Sequence, residues 1–146
     1  LLYVVTGPPA AGKSSWIDAH AGRNDIVIDL DRITLALSGP GSPSWNQDPI
    51  LRKVALRARF AAIDEGVKHR DQVDVYLIHT MPSAKAAARY KRLAARIVIV
   101  DPGQAIVMQR VRDMRDTGME AVAARWYRHR RRAVGVPARV QASRSW

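Results

Sequence analysis

Apolar and polar positions along the chain fall into two alternating rhythms. Leu2-Tyr3-Val4-Val5-Thr6, Ile26-Val27-Ile28, the stretch 73–78 and Ile97-Val98-Ile99-Val100 are short, β-branched and nearly continuous in their hydrophobicity. Bounded by turn residues such as Gly7-Pro8-Pro9, they predict buried strands. The segments between them carry helical spacing. From Pro49 to about residue 69, Ile50, Val54, Leu56, Ala58, Ala61, Ala62 and Val67 form an apolar stripe flanked by Arg52, Lys53, Arg57 and Arg59. Asp48 followed by Pro49 marks the start of that helix as a cap and a first helical position. Residues 83–93, 104–115 and 119–133 are further amphipathic candidates, the last two parted by Asp116-Thr117-Gly118. Strands alternating with helices predict an α/β fold of three layers with a central parallel sheet. The Gly-, Pro- and Ser-rich stretch 38–47, which contains Trp45, predicts a surface loop.

Composition narrows the chemistry more than the fold. A length of 146 residues suits one domain. The expected division is a domain over 1–133 and a basic tail over 134–146 that reads as a linker to a further domain. With 47% hydrophobic and 25% charged residues the chain has the make-up of a folded globular protein. The absence of cysteine removes disulfides, thiolate metal sites and cysteine nucleophiles. No apolar run approaches the roughly 20 residues that span a bilayer, and the opening run is too short and uncharged for a signal peptide. A cytoplasmic protein without a membrane partner is therefore expected. Lys and Arg number 24 against 13 Asp and Glu, a formal net charge of +11. Such a field attracts polyanions, which makes nucleic acids and nucleotides candidate partners.

The most specific motif is Gly7-Pro8-Pro9-Ala10-Ala11-Gly12-Lys13-Ser14, which fits G-x-x-x-x-G-K-[ST] directly after a strand and before a helical segment. Its glycines let main-chain N–H groups converge on phosphate oxygens, and the following helix aims the positive end of its dipole at the same point. The loop from Gly7 through Ser15 is thus the expected ATP-binding stretch. Lys13 is placed to reach the β- and γ-phosphates, and the Ser14 hydroxyl to ligate Mg²⁺. A chain this short leaves little room for the insertions of motor or switch ATPases, so a small phosphotransferase of the P-loop NTPase fold is favoured. Such an enzyme needs a group to take the acceptor's proton and cations to stabilise the moving phosphoryl.

In open α/β sheets the ligand crevice lies beyond the carboxyl ends of the strands. The second strand ends in Ile28-Asp29-Leu30-Asp31-Arg32. Asp29 and Arg32, three apart, share a face if a helix starts at once, one as base and the other as anchor of an anionic acceptor. The competing reading makes Asp31 a helix cap and Arg32 a solvated surface residue. The third strand ends in His79-Thr80 with no acidic residue there, so Mg²⁺ has Ser14, phosphates and water, with help from Asp29. His79 is a candidate acceptor contact and, more simply, a strand-end histidine held by backbone partners.

The order of phosphate loop, strand-end Asp-x-x-Arg, basic lid and Asp101-Pro102 after the fourth strand resembles the polynucleotide 5′-kinase branch of the P-loop kinases, with its zeta-toxin relatives, over roughly residues 3–132. The resemblance implies that Asp29 is the general base, with Asp31 as the alternative, and that Arg32 binds an acceptor phosphate. It also implies a helical, Arg-rich lid closing on the ATP phosphates, for which Arg112 and Arg115 share a helical face, with Arg110 behind them. The acceptor implied is the 5′-hydroxyl of a DNA or RNA end. Alternatives are a hydroxylated DNA base, a small metabolite such as a sugar or nucleoside, and a non-catalytic ATP-binding module. Arg125, Arg128, Arg130, Arg131 and Arg132, interleaved with Trp126, Tyr127 and His129, suit a nucleic-acid backbone, although Trp126 and Tyr127 are expected to pack on the sheet. Trp45 is a candidate for stacking on an acceptor base.

Overall fold

A computed structural model describes residues 1–43, 46–114, 117–132 and 139–141. Val4 and Val5, adjacent in β1 (Leu2–Thr6), are both fully buried although they point to opposite faces. A strand can satisfy that only at the centre of a sheet covered on both sides. β1 pairs in parallel with β3 (Val75–Ile78) on one side and with β4 (Arg96–Val100) on the other, with Val4 opposite Leu77 and Val5 opposite Val98. β2 (Ile26–Ile28) lies beyond β3 and β5 (Arg139–Gln141) beyond β4, giving the order β2-β3-β1-β4-β5, parallel throughout.

The period of two along the strands divides the core. Leu2, Val4, Val75 and Leu77 face one layer, built with Ile63, Val67 and Tyr90. These come from α3 (Pro49–Gly66), the 3₁₀ turn Val67–His69 and α4 (Ala84–Arg92). Val5, Tyr76 and Val100 face the other, built with Trp16, Ile17, Val107, Val111, Trp126 and Tyr127. Those belong to α1 (Lys13–His20), α5 (Gln104–Asp113) and α6 (Thr117–Arg132). Trp126 and Tyr127 thus pack against the sheet as expected. The short α2 (Leu30–Leu37) begins directly after β2. Among the described residues no helix is long and apolar enough to cross a membrane.

Two expectations change here. Asp48 does cap α3, its carboxylate accepting from the Ile50 amide at 2.8 Å with Pro49 in the first turn. The face that packs, however, is Ala55, Arg59, Ile63 and Gly66, while Ile50 and Val54 of the expected stripe are 75% and 54% exposed. The small residues decide this. A Cβ added at Gly66 would stand 3.3 Å from Ile28 Cδ1, so this side of the helix can approach the sheet closely. Second, the stretch 134–146 read as a tail contains β5, whose Val140 pairs with Ile99 and covers an otherwise open edge of β4. The expected boundary at residue 133, Trp45, Arg115 and Asp116 lie outside the described residues.

Candidate active site

β1 and β4 end side by side, and the phosphate loop begins where they do. Gly7 adopts φ +149°, and a Cβ there would lie 2.1 Å from the Val100 carbonyl oxygen. The loop can therefore rest on the end of β4 only with glycine at this position. It closes at Gly12, φ +97°, the N-cap of α1, where no side chain caps the first turn. The leading amides of α1 are thus left for an external acceptor. Ala11 is buried in the core beneath the loop, and Ser15 is exposed on the first turn of α1.

Lys13 folds back over this loop, its Nζ donating to the carbonyls of Gly7 at 2.9 Å and Pro8 at 2.6 Å. Burial lowers its pKa from 10.5 to about 8, against the opposing fields of Asp31 and Asp29. Ser14 Oγ lies 3.4 Å from Asp29 Oδ2, to which it donates. Asp29 stands between the end of β2 and α2, which it caps, Oδ1 accepting from the Asp31 amide at 3.0 Å. It is 5% exposed, and burial raises its pKa against the opposing hydrogen bonds from that amide and Ser14. The cap is therefore Asp29, and Asp31 is an exposed residue of the first turn.

A cleft of about 350 Å³ adjoins Asp29, lined also by Asp31, Arg52, Arg59, His79, Arg125 and Trp126 among others. His79 Nδ1 lies 2.7 Å from the Tyr90 hydroxyl, and burial with the nearby Arg59 charge lowers its pKa to about 4, so the ring is neutral near pH 7. The partner is a side chain where a backbone group was expected. Trp126 Nε1 donates to the Thr80 carbonyl at 2.9 Å, fixing the wall formed by α6. A larger hollow of about 760 Å³, lined by Tyr3, Asp74 and Arg96, sits at the opposite ends of the strands and holds none of the motif residues.

Of the residues singled out from sequence, the structure brings Gly7 to Ser14 and Asp29 together. Arg32 is exposed and is absent from the cleft lining, where Arg52, Arg59 and Arg125 stand instead. On the lid side Arg112 is exposed, and Arg110 is the residue that touches the loop, Nη1 donating to the Ala10 carbonyl at 2.9 Å. Asp101 ties α6 to the end of β4, accepting from the Tyr127 hydroxyl at 2.6 Å and the Gly103 amide at 2.9 Å. Arg59 was missed because it was counted among the charged flanks of α3. Its spacing of four from both Ala55 and Ile63 was the available signal that it shares their buried face.

The donors present also fit a magnesium ion. Ser14 and Asp29 offer a hydroxyl and a carboxylate oxygen facing each other, and among the described residues no cluster of three or more His, Cys, Asp or Glu forms an all-protein cage. Mg²⁺ characteristically takes one or two protein ligands and fills its octahedron with phosphates and water.

Comparison with known proteins agrees with this architecture. A crystal structure from Chloroflexus aurantiacus, described as a candidate kinase, superposes with a TM-score of 0.62 over 97% of this chain and 87% of that one, at 15% identity. The chain thus has the α/β fold of the P-loop NTPases. Dephospho-CoA kinase of Chromobacterium violaceum is 29% identical over 150 residues, covering 83% of this chain and 72% of its own length. The family model for the AAA domain termed AAA_33 matches residues 2–136, from the first residue of β1 past the end of α6. With the phosphate loop, strands β1 to β4 and helices α1 to α6 inside that match, the chain belongs to the AAA_33 family.

Proposed function

We propose that the protein is an ATP-dependent phosphotransferase that moves the γ-phosphoryl of ATP to a hydroxyl of a small anionic acceptor held in the arginine-lined cleft. The observation that carries this reading is the position of Asp29. Its carboxylate lies 3.4 Å from Ser14 of the phosphate loop and also lines the cleft, so one buried carboxyl adjoins both reactant sites.

The chemistry follows from the residues present. When the triphosphate enters, Lys13 exchanges its two carbonyl partners for phosphate oxygens, while the Gly7–Ser14 main chain and the α1 amides hold the rest. Ser14 and Asp29 would hold Mg²⁺, which supplies charge neutralisation at the phosphates when bound. Asp29 accepts the proton of the acceptor hydroxyl. The acceptor's oxygen, freed of that proton, forms the new bond to the γ-phosphorus as the bond to the β–γ bridging oxygen breaks, and ADP leaves. Arg110, anchored on the loop by Ala10, supplies fixed positive charge beside the phosphates.

A cleft of this size suits a metabolite, and one relative bears the name of a kinase with a metabolite acceptor, dephospho-CoA. The formal charge of +11 and the exposed Arg125 and Arg128 of α6 favour a second reading, in which the acceptor is the 5′-hydroxyl of a DNA or RNA end. A labelled-phosphate assay with nucleosides, nucleotides, phosphorylated sugars and 5′-hydroxyl oligonucleotides at several salt concentrations separates the two. Transfer to small acceptors that changes little with salt supports the first. A steep fall with salt, confined to oligonucleotides, supports the second. ATP binding without transfer to any acceptor defeats both and leaves a nucleotide-binding module.

A further inference from the structure

The floor of the acceptor cleft carries a cation that phosphate-loop chemistry does not use. Arg59 is 6% exposed, and its Nη2 donates to the Ile78 carbonyl at 2.9 Å. Its Nε has no hydrogen-bond partner, and among the described residues no carboxylate forms an ion pair with it. An arginine cannot shed its proton to escape that position, and a buried charge without a counter-ion is costly to the fold. Asp29 acts on it only through its field and forms no ion pair with it. His79 is neutral and held by Tyr90. The cleft is built as though an anion completes it.

The surroundings specify the anion further. Arg52 lies seven residues before Arg59 on α3, which places it on the same face about 10 Å nearer the start of the helix. Arg125 reaches the same cleft from α6. Two helices therefore bring three arginines to one hollow in which, among the described residues, Asp29 and Asp31 are the only acids. A neutral sugar or nucleoside leaves Arg59 uncompensated, and one carboxylate offers too few oxygens for three forks. A phosphoryl group offers three oxygens and nearly two negative charges.

We propose that Arg59 is the acceptor-recognition residue of this site: the acceptor is an alcohol that already bears a phosphoryl group, seated on the buried Arg59 guanidinium with Arg52 and Arg125 closing over it, its hydroxyl directed to Asp29. The role first assigned to Arg32 thus passes to Arg59. The proposal rests on the reading of the site as a kinase, so its test includes an arm that needs no transfer.

In that arm the phosphate loop is filled with a non-hydrolysable Mg-ATP analogue, and inorganic phosphate is titrated in by calorimetry. The wild-type chain takes up one further phosphate, and Arg59→Gln binds it roughly 30-fold or more weakly. Equal phosphate binding by the two proteins overturns the proposal. In the transfer arm, matched pairs of alcohols with and without a phosphoryl group are compared: nucleoside 3′-phosphates, phosphorylated sugars and short 5′-hydroxyl oligonucleotides, which also identifies the source of the phosphate. The phosphorylated member of a pair has the lower KM, and Arg59→Lys removes that preference while leaving Mg-ATP affinity unchanged. Arg52→Ala, at an exposed position, raises the same KM without the risk to folding. Equal kcat/KM for both members of every pair overturns the proposal. No transfer to any alcohol overturns the kinase reading, and phosphate titration then decides the anion site by itself.

Discussion

Lys13 provides a test of the loop that depends on its electrostatics. Its ammonium is held at a pKa of about 8 because burial beside two carbonyls compensates it less well than water does. A bound triphosphate surrounds the same group with negative charge and restores its pKa toward or above the ordinary 10.5. The protonated form is then the one that binds, ATP binding takes up a proton near pH 8, and affinity falls as pH rises. With a free-state pKa of about 8 and a bound-state pKa of about 10 or more, Kd for Mg-ATP should increase about tenfold between about pH 7 and pH 9, or roughly 1.4 kcal/mol. ATP itself does not produce this trend, since its terminal phosphate is already ionised above about pH 7. Calorimetry in two buffers of different ionisation enthalpy reads the proton directly, with uptake of about half a proton expected at pH 8. Lys13→Arg, which stays charged throughout, should bind ATP with no slope over the same range. An affinity flat from pH 7 to 9 in the wild-type chain, or one that rises with pH, refutes the reasoning.

Two further substitutions separate the loop from its neighbours. Gly7→Ala places a Cβ 2.1 Å from the Val100 carbonyl oxygen at φ +149°, so it should cost about 1–3 kcal/mol and weaken ATP binding, measured by urea denaturation and nucleotide titration. Arg110→Ala removes the contact with Ala10 and should raise KM for ATP about tenfold or more. Arg112→Ala, at an exposed position, should stay within about twofold. Equal effects of these two arginine substitutions contradict the assignment.

Much of this arrangement was legible in the chain, for identifiable reasons. The phosphate loop is a contiguous octapeptide whose geometry is local, and Asp48-Pro49 marks a helix start through bonds to its own next residues. Buried parallel strands are readable because both faces are apolar. What was not legible depended on contacts remote in sequence. Arg59 looks like one more charged flank of α3 until the close approach allowed by Ala55 and Gly66 turns that face inward. Arg110 and Arg112 are both basic residues of α5, and only the position of Ala10 in space selects between them. β5 is three residues long, and its stability comes from the edge of β4 more than from its own sequence. Arg32 sits in an Asp-x-x-Arg pattern and its charge acts on Asp29, yet it is exposed and the cleft is lined by Arg52, Arg59 and Arg125 from distant helices.

The central claim is that one buried carboxylate takes the acceptor's proton beside a triphosphate. Asp29→Asn tests it most directly, because an asparagine can still cap α2 while losing the basic oxygen. Measured together on the purified chain, Mg-ATP affinity should remain within about tenfold of wild type, while the rate of labelled phosphoryl transfer to the best alcohol acceptor should fall by roughly 10²–10⁴. Transfer at an undiminished rate by Asp29→Asn would contradict the account.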